Sequence, residues 1–170
     1  MIRLFTGIII LCLGSFDGLH AQHTVTSSVK VIVNIVPGIE VKSISDLNFG
    51  IIASNTGLNS LNISDDAAGR FLITGAENAE INLDFIIPSQ LYGYYEHSIE
   101  YIPTIAYSYS YNYGEFTYLD HRSTTPVRLN GSTVEGATGG VYISISGSII
   151  AGNVPEGIYS GIITLSATYN

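Results

Sequence analysis

The sequence has little that could cross-link it or bind an anionic polymer. Cys12 is the only cysteine among 170 residues, there is no tryptophan, and six basic residues stand against 14 acidic ones. A single cysteine excludes an internal disulfide framework, so packing must supply the stability. The net charge of −8 repels phosphate backbones and anionic lipid headgroups. We therefore expect no nucleic-acid partner.

The sequence also lacks the motifs that carry catalysis or metal binding. There is no G-x-S-x-G nucleophile turn, no glycine-rich phosphate loop and no calcium loop of alternating acidic residues. His23, His97 and His121 lie far apart, and none has a second histidine or a cysteine at metal-ligand spacing. We expect a protein that is not an enzyme and that needs no cofactor.

Residues 1–21 have the pattern of a secretory leader. Arg3 supplies a positive start, residues 4–13 are almost wholly apolar, and residues 14–21 are more polar and end in the small residue Ala21. This pattern predicts export and cleavage after Ala21, which leaves residues 22–170 as one domain at the cell surface or outside the cell. An apolar run of about ten residues is too short to span a bilayer, which takes roughly 20. We expect no membrane span after the leader is removed.

Short alternating runs separated by turn residues indicate an all-β protein. The predicted strands lie at 29–35, 47–51, 59–64, 70–74, 81–85, 98–113, 115–119, 126–129, 140–150 and 158–169. The runs at 59–64 and 70–74 are predicted to form a hairpin, because the turn-rich stretch 65–69 joins them. About ten short strands in one domain predict a β-sandwich with immunoglobulin-like packing.

Nine of the twelve tyrosines fall between Tyr92 and Tyr118. Four of them share one parity and would lie on one face of an extended strand: Tyr107, Tyr109, Tyr111 and Tyr113. One interpretation is a half-buried strand whose rings pack together while their hydroxyls stay solvated. The other is an exposed aromatic face that binds a glycan or a host protein.

Two parts of the sequence resemble a known family. Residues 151–161 read AGNVPEGIYSG, and residues 168–170 read TYN. This ending, together with VIVNI at 31–35 and LNFG at 47–50, resembles the secreted bacterial β-domains of the domain of unknown function 4402 family. It is similar, more distantly, to spore-coat-U-like domains and to pilin subunits of the archaic chaperone–usher pathway. The middle of the chain, 90–125, departs from the family pattern.

The resemblance implies a pilin-like Greek-key sandwich with a C-terminal assembly strand. Chaperone–usher subunits carry a glycine fourteen positions from the end and an aromatic residue next to last, as Gly157 and Tyr169 do here. The residues of that strand that share one parity are Tyr159, Gly161, Ile163, Leu165, Ala167 and Tyr169. Archaic pilins carry a disulfide near the first strand, whereas this sequence has no cysteine outside the predicted leader.

In the pilin-like picture, one subunit's N-terminal segment completes the next subunit's sandwich. Val29, Val31, Val33 and Ile35 would enter the apolar groove of a neighbour, while Lys30 and Asn34 face outward. Burying four such side chains contributes roughly 6–12 kcal/mol gross, against about 5–15 kcal/mol for the net stability of a domain. The expected function is a fimbrial subunit in cell adhesion, with itself or related subunits and a periplasmic chaperone as partners. The alternatives are a self-completed monomer and a stand-alone glycan- or host-binding module.

Overall fold

The computed structural model describes residues 28–110, 115–130 and 139–170. The predicted leader, His23, Tyr111 and Tyr113 lie outside the described residues. The chain divides into two compact units, Met1–Asn34 and Ile35–Asn170, and the strands found among the described residues all belong to the second. Of the first unit, the described residues 28–34 lie outside any strand. No helix among the described residues is both long enough and apolar enough to cross a membrane.

The described part of the second unit contains ten strands and one short 3₁₀ turn, Tyr94–Glu96. The strands are β1 (Glu40–Ser45), β2 (Gly57–Leu61), β3 (Gly69–Thr74), β4 (Glu80–Ile86), β5 (Gln90–Tyr92), β6 (Ser98–Ser108), β7 (Thr117–Leu119), β8 (Pro126–Arg128), β9 (Gly140–Ala151) and β10 (Thr164–Tyr169). The all-β class predicted from the sequence is confirmed.

All strand pairs are antiparallel and form two sheets. The larger sheet has the order β1-β3-β9-β6-β5, with β2 also paired to β9 and β7 also paired to β6. The smaller sheet has the order β10-β4-β8. Both sheets contribute to one core cluster, in which Ile143 and Ile145 of β9 join Ile81 and Leu83 of β4.

Strand β9 is the centre of the larger sheet because its sequence suits burial on both faces. Its odd-numbered residues Val141, Ile143 and Ile145 are apolar and fully buried in the core. The small side chains of Ser144 and Ser146, on the opposite face, are buried as well. A strand of twelve residues is long enough to pair with several shorter strands along one edge.

The predicted hairpin of 59–64 with 70–74 is wrong. Strands β2 and β3 do not pair with each other but line up along the same edge of β9. Gly57–Leu61 pairs with residues 147–151 and Gly69–Thr74 pairs with residues 140–145. The reason is that β9 is itself packed in the core. A strand that pairs with β9 joins a larger sheet, whereas a hairpin of two strands alone is only marginally stable.

Two other predicted strands do not form. Residues 46–52 carry no strand: the Asn48 side chain accepts a hydrogen bond from the Gly50 amide at 2.8 Å, and Gly50 has φ +72°. A side chain that bonds the backbone two residues on favours a turn over a ladder. The predicted strand at 29–35 is also absent, since residues 28–39 lie outside any strand.

The last part of the chain passes from one sheet to the other. Ser160 exchanges two backbone hydrogen bonds with Tyr92 of β5, at 2.9 and 3.0 Å. Four residues later β10 begins and pairs with β4 along its whole length, without a register shift. The predicted strand at 158–169 is therefore a bridge at Ser160 followed by a strand from Thr164.

Candidate assembly edge and exposed tyrosines

The outer edge of β10 differs from the outer edges of two other strands, β1 and β8. Strand β10 has six residues and no charged side chain, proline or bulge. The edge strand β1 carries Glu40, Lys42 and a register shift, and β8 carries Pro126 and Arg128. Charges, prolines and bulges are the features that prevent an edge from pairing with another chain. Strand β10 has none of them.

Two other edges are less suited to adding a strand. The outer edge of β5 is occupied at Tyr92 by the backbone of Ser160. Strand β2 is uncharged and five residues long, but none of its residues belongs to either core cluster. An apolar strand added beside β2 would extend no core. Among the described strands, β10 therefore combines the longest uncharged edge with contact to the core.

The side chains of β10 alternate between core and solvent as predicted. Leu165 is buried, and Ile163, Ala167 and Tyr169 are half-buried against the main core cluster. The intervening residues Thr164, Ser166 and Thr168 are exposed. An extended segment laid beside β10 could place every second side chain next to this apolar row.

Strand β1 approaches β10 on this side of the molecule and adds to the apolar surface there. Ile39 and Val41 are half-buried and pack against the same core cluster as Ala167 and Tyr169. The first and last strands of the described body are therefore both sheet edges, and both leave core side chains only partly covered.

An exposed apolar run precedes β1. The exposed fractions are 88% for Val29, 84% for Val31, 75% for Val33 and 89% for Ile35. Isolated exposed apolar side chains are common, but four at alternating positions, with Ile32 at 74% between them, form a contiguous apolar strip. These are the residues in which the sequence predicts the donated strand.

Two of the remaining residues of the predicted C-terminal motif, Tyr159 and Gly161, have structural roles around β5. The Tyr159 hydroxyl donates to the Pro155 carbonyl at 2.9 Å, and its ring lies where a side chain on Gly93 would stand. A Cβ atom on Gly161 would come within 2.9 Å of Pro88 and 3.0 Å of Leu91, so this position requires glycine for close approach. Gly157 has open space around it.

The predicted tyrosine face is half-buried where the structure describes it. Tyr107 and Tyr109 pack edge to face at 5.5 Å and lie against the main core cluster. The Tyr109 hydroxyl donates to the Arg128 carbonyl at 2.8 Å. Burial and the neighbouring Tyr107 raise the pKa of Tyr109. The geometry matches the interpretation of a packed strand for these two rings.

A different group of tyrosines is exposed, and the sequence pattern does not single it out. Tyr92, Tyr94 and Tyr95 are 58%, 78% and 83% exposed at the turn between β5 and β6. The rings of Tyr94 and Tyr95 meet edge to face at 4.5 Å, with Tyr95 at φ +55°. Ile158, on the segment that pairs with β5, is 87% exposed. We call Tyr92, Tyr94 and Tyr95 the exposed tyrosine cluster.

The described histidines do not come together. His97 is exposed beside the exposed tyrosine cluster, and His121 is half-buried at a cleft of about 190 Å³ that Glu100 and Arg122 also line. Among the described residues, no three histidine, cysteine, aspartate or glutamate side chains lie close enough to hold a metal ion. The absence of catalysis stays a prediction.

Comparison with known proteins gives no relative. No family model matches the chain, and neither the curated proteins nor the solved structures contain a match. The resemblance to secreted β-domains and pilins therefore stays a prediction.

Proposed function

We propose that this protein is an exported, non-catalytic surface protein with an immunoglobulin-like, pilin-like sandwich, and that its copies assemble as fimbrial subunits by strand addition. The observation that carries the proposal is the presence, in one chain, of an exposed apolar strip at Val29–Ile35 and an uncharged, unpaired edge at β10. The strip of one copy would lie beside β10 of the next, with its alternate side chains against the row formed by Leu165 and its neighbours.

The energetics favour occupation of this edge. Fully burying the four alternate side chains contributes roughly 6–12 kcal/mol before the entropy of ordering the segment is subtracted. Backbone hydrogen bonds to β10 add to this and are the source of affinity in strand-addition complexes. Until the edge is filled, it is an aggregation hazard, which is the physical reason to expect a periplasmic chaperone as a partner.

The test compares charge placed on the two faces of the strip. The variant Val31→Asp with Val33→Asp puts two carboxylates on the face proposed to enter the neighbour. The control, Ser28→Asp with Asn34→Asp, makes the same change of charge on exposed residues of the other face. Light scattering after size exclusion should show multimers for the wild type and the control, and monomers for the valine variant.

Two results would contradict the proposal. One is a wild-type protein that stays monomeric at every concentration, and the other is a valine variant that assembles as well as its control. Circular dichroism of each variant separates lost assembly from lost folding, since all four changed positions lie outside the strands.

A second candidate function is glycan binding at the exposed tyrosine cluster. Its support is that Tyr92, Tyr94 and Tyr95 expose rings beside the hydrogen-bonded pair of Gln90 and Ser98, whose side chains meet at 3.2 Å. Sugar rings have apolar faces that pack on aromatic rings, while amides and hydroxyls fix their orientation. This cluster, rather than Tyr107 and Tyr109, is the surface on which we place the predicted alternative.

A glycan array tests this candidate with Tyr94→Ala, and with Tyr118→Ala as control. Tyr118 is also exposed, at 65%, but lies on β7. We expect glycan signals that Tyr94→Ala lowers about fivefold and that Tyr118→Ala leaves unchanged, since stacking on one ring contributes on the order of 1 kcal/mol. An array without signal, or signals that both variants lower equally, would contradict glycan binding at this cluster.

A further inference from the structure

A cleft interrupts one edge of strand β6, between the two short strands that pair with it there. Strand β5 pairs with residues 98–100 and strand β7 pairs with residues 105–107, while β9 pairs with residues 100–108 along the other edge. The cleft of about 190 Å³ beside His121 opens between β5 and β7. We call it the Pro103 cleft, and it is lined by residues 87–89, 100–103 and 121–122.

Pro103 explains why the ladder is interrupted at this point. Successive residues of an antiparallel strand direct their backbone groups to alternate sides. The Tyr101 amide donates to the Ser89 carbonyl at 2.9 Å, on the side of the cleft, whereas the Ile102 carbonyl oxygen lies where a side chain on Gly147 of β9 would stand. Residue 103 therefore faces the cleft side again. Because proline has no N–H, it presents only a carbonyl oxygen there.

A turn holds two nitrogen-bearing side chains at the opposite wall of the cleft. The Asp120 carboxylate accepts a hydrogen bond from the Arg122 amide at 3.0 Å, and the Asp120 carbonyl accepts one from the Ser123 amide at 3.1 Å. Aspartate commonly fixes turns by bonds of this kind. The turn thus positions His121, which is half-buried, and Arg122, which is exposed, at the cleft.

The cleft presents donors, acceptors and apolar surface together. Arg122 and His121 supply N–H donors, Glu100 supplies a carboxylate acceptor, and the Ser89 hydroxyl can donate and accept. The Pro103 carbonyl adds a second acceptor. The apolar side chains that line the cleft are Ile87, Pro88, Ile102 and Pro103.

An uncharged sugar ring matches this set of groups. A simple anion would be repelled by Glu100, and a simple cation would be repelled by Arg122. Sugar hydroxyls can donate to the two acceptors and accept from Arg122, while the ring packs on the apolar side chains. Sites for drug-sized molecules are roughly 300–1,000 Å³, so a cleft of about 190 Å³ limits the occupant to a single ring.

The cleft and the exposed tyrosine cluster lie along one face of the β5–β6 pair. Tyr92 lies opposite Ser98 and Gln90 lies opposite Glu100, and these four residues share their face with Ile102. Four residues of β6 separate Ser98 from Ile102, which is about 14 Å along a strand. A glycan of a few rings could therefore contact the tyrosines with one part and the cleft with another.

We propose that the Pro103 cleft binds one uncharged sugar ring of a glycan whose neighbouring rings stack on the exposed tyrosine cluster. The stacking part of this inference rests on glycan binding at the tyrosines, which is the second candidate function. Occupation of the cleft itself depends neither on that cluster nor on assembly at β10.

Saturation-transfer NMR tests occupation of the cleft, with glucose, galactose, mannose and N-acetylglucosamine as separate probes. We expect at least one of them to bind, with a dissociation constant that Arg122→Ala raises about tenfold, as for the loss of a hydrogen bond to a charged group. Arg128→Ala is the matched control, since Arg128 is also exposed but lies on β8. Circular dichroism checks that each variant is folded.

Glucuronate, the acidic counterpart of glucose, tests the assignment to an uncharged ring. It should bind more weakly than the best neutral sugar, because its carboxylate meets Glu100. Glu100→Gln should strengthen glucuronate binding, since it removes this repulsion and alters only an exposed side chain.

Three results would overturn the cleft as a sugar site. The first is that none of the four neutral sugars binds. The second is that Arg122→Ala and Arg128→Ala weaken binding equally. The third is that glucuronate binds more tightly than every neutral sugar, which would indicate an anion site instead.

The glycan array separates this inference from the second candidate function. Signals that Tyr94→Ala and Arg122→Ala both lower support one glycan that contacts both surfaces. Signals that Tyr94→Ala alone lowers overturn the role of the cleft and leave glycan binding at the tyrosines standing. Signals that Arg122→Ala alone lowers, or an empty array with monosaccharide binding at the cleft, overturn the second candidate function and the shared glycan.

Discussion

At the residue scale, Gly147 shows how closely the strands of the larger sheet pack. It has φ +142°, and a Cβ atom there would overlap the carbonyl oxygen of Ile102 on β6. Gly147 is also the first residue of the β9 segment that pairs with β2, close to the end of the segment that pairs with β3. A side chain at this position would be strained by the backbone and by the neighbouring strand at once.

Gly147→Ala should therefore lower the free energy of unfolding by about 2–4 kcal/mol, through overpacking and backbone strain. Gly152→Ala is the control, because nothing lies within 4 Å of a Cβ atom there. Urea denaturation measures both variants. An equal effect of the two substitutions would show that the close approach of β9 and β6 is not the cause.

Tyr101 is a buried phenol whose hydroxyl donates to the Ser146 carbonyl at 2.8 Å. Burial raises the pKa of Tyr101, because the phenolate loses its hydration in the core. The folded-state pKa lies above the unfolded value of about 10, so the unfolded state loses its proton first. Stability from the neutral form is present below about pH 10 and is lost as the pH rises toward the folded pKa.

Between about pH 10 and 11, the unfolding free energy of the wild type should fall more steeply than that of Tyr101→Phe. The difference in slope should approach 1.4 kcal/mol per pH unit, which is the contribution of one proton. Urea titrations at several pH values measure it. At pH 7 the variant should be about 1 kcal/mol less stable, from the lost hydrogen bond; parallel pH profiles would contradict the assignment to Tyr101.

At the scale of single elements, β10 is distinguished by what its edge lacks. Its partner β4 carries Asp84 directly opposite Ser166, whereas β10 itself carries no charge. In the proposed assembly, the exposed face of β10 would lie beside Lys30 of the incoming strip. A positive charge on that face should therefore repel the strip without disturbing the fold.

Ser166→Lys should raise the dissociation constant of the multimers about fivefold, since like charges on adjacent strands are destabilising. Its effect on unfolding should be small, because the new ammonium faces Asp84. Thr117→Lys, on the exposed edge strand β7, is the control for added charge. Analytical ultracentrifugation measures the dissociation constants, and equal effects of the two lysines would place the contact elsewhere than β10.

At the scale of the whole molecule, proposed assembly and stability are linked by mass action. A strand that binds the folded body and not the unfolded chain stabilises the fold by an amount that grows with concentration, by about 1.4 kcal/mol for each tenfold increase above the dissociation constant. The melting temperature of the wild type should therefore rise over a hundredfold range of protein concentration, as measured by scanning calorimetry.

The variant Val31→Asp with Val33→Asp supplies the reference for this experiment. Its melting temperature should not depend on concentration, and it should match the wild type at high dilution. A wild-type melting temperature that is constant over the whole range would contradict any assembly in which the added strand contributes to stability.

The all-β class and the inward faces of β4, β9 and β10 could be predicted from the sequence alone. Ile81 and Leu83 alternate with Asp84 as they do in the folded strand, and Leu165 alternates with Ser166 in the same way. This is so because the side chains of an extended chain alternate by local geometry. The apolar strip at Val29–Ile35 was predicted for the same reason, although it forms no strand.

Strand partners and edges were decided by the tertiary structure. Strands β2 and β3 pair with β9, which lies more than 60 residues away along the chain. They do so because β9 is a fully packed strand to which both of them can pair. The exposure of Tyr92, Tyr94 and Tyr95, the burial of Tyr107 and the hydrogen bond from the Tyr169 hydroxyl to the Pro37 carbonyl likewise depend on segments distant in sequence. Alternation specifies which side of a strand is apolar, but it does not specify which segment covers that side. The covering segment is selected in the folded chain, because all segments compete for the same apolar surface.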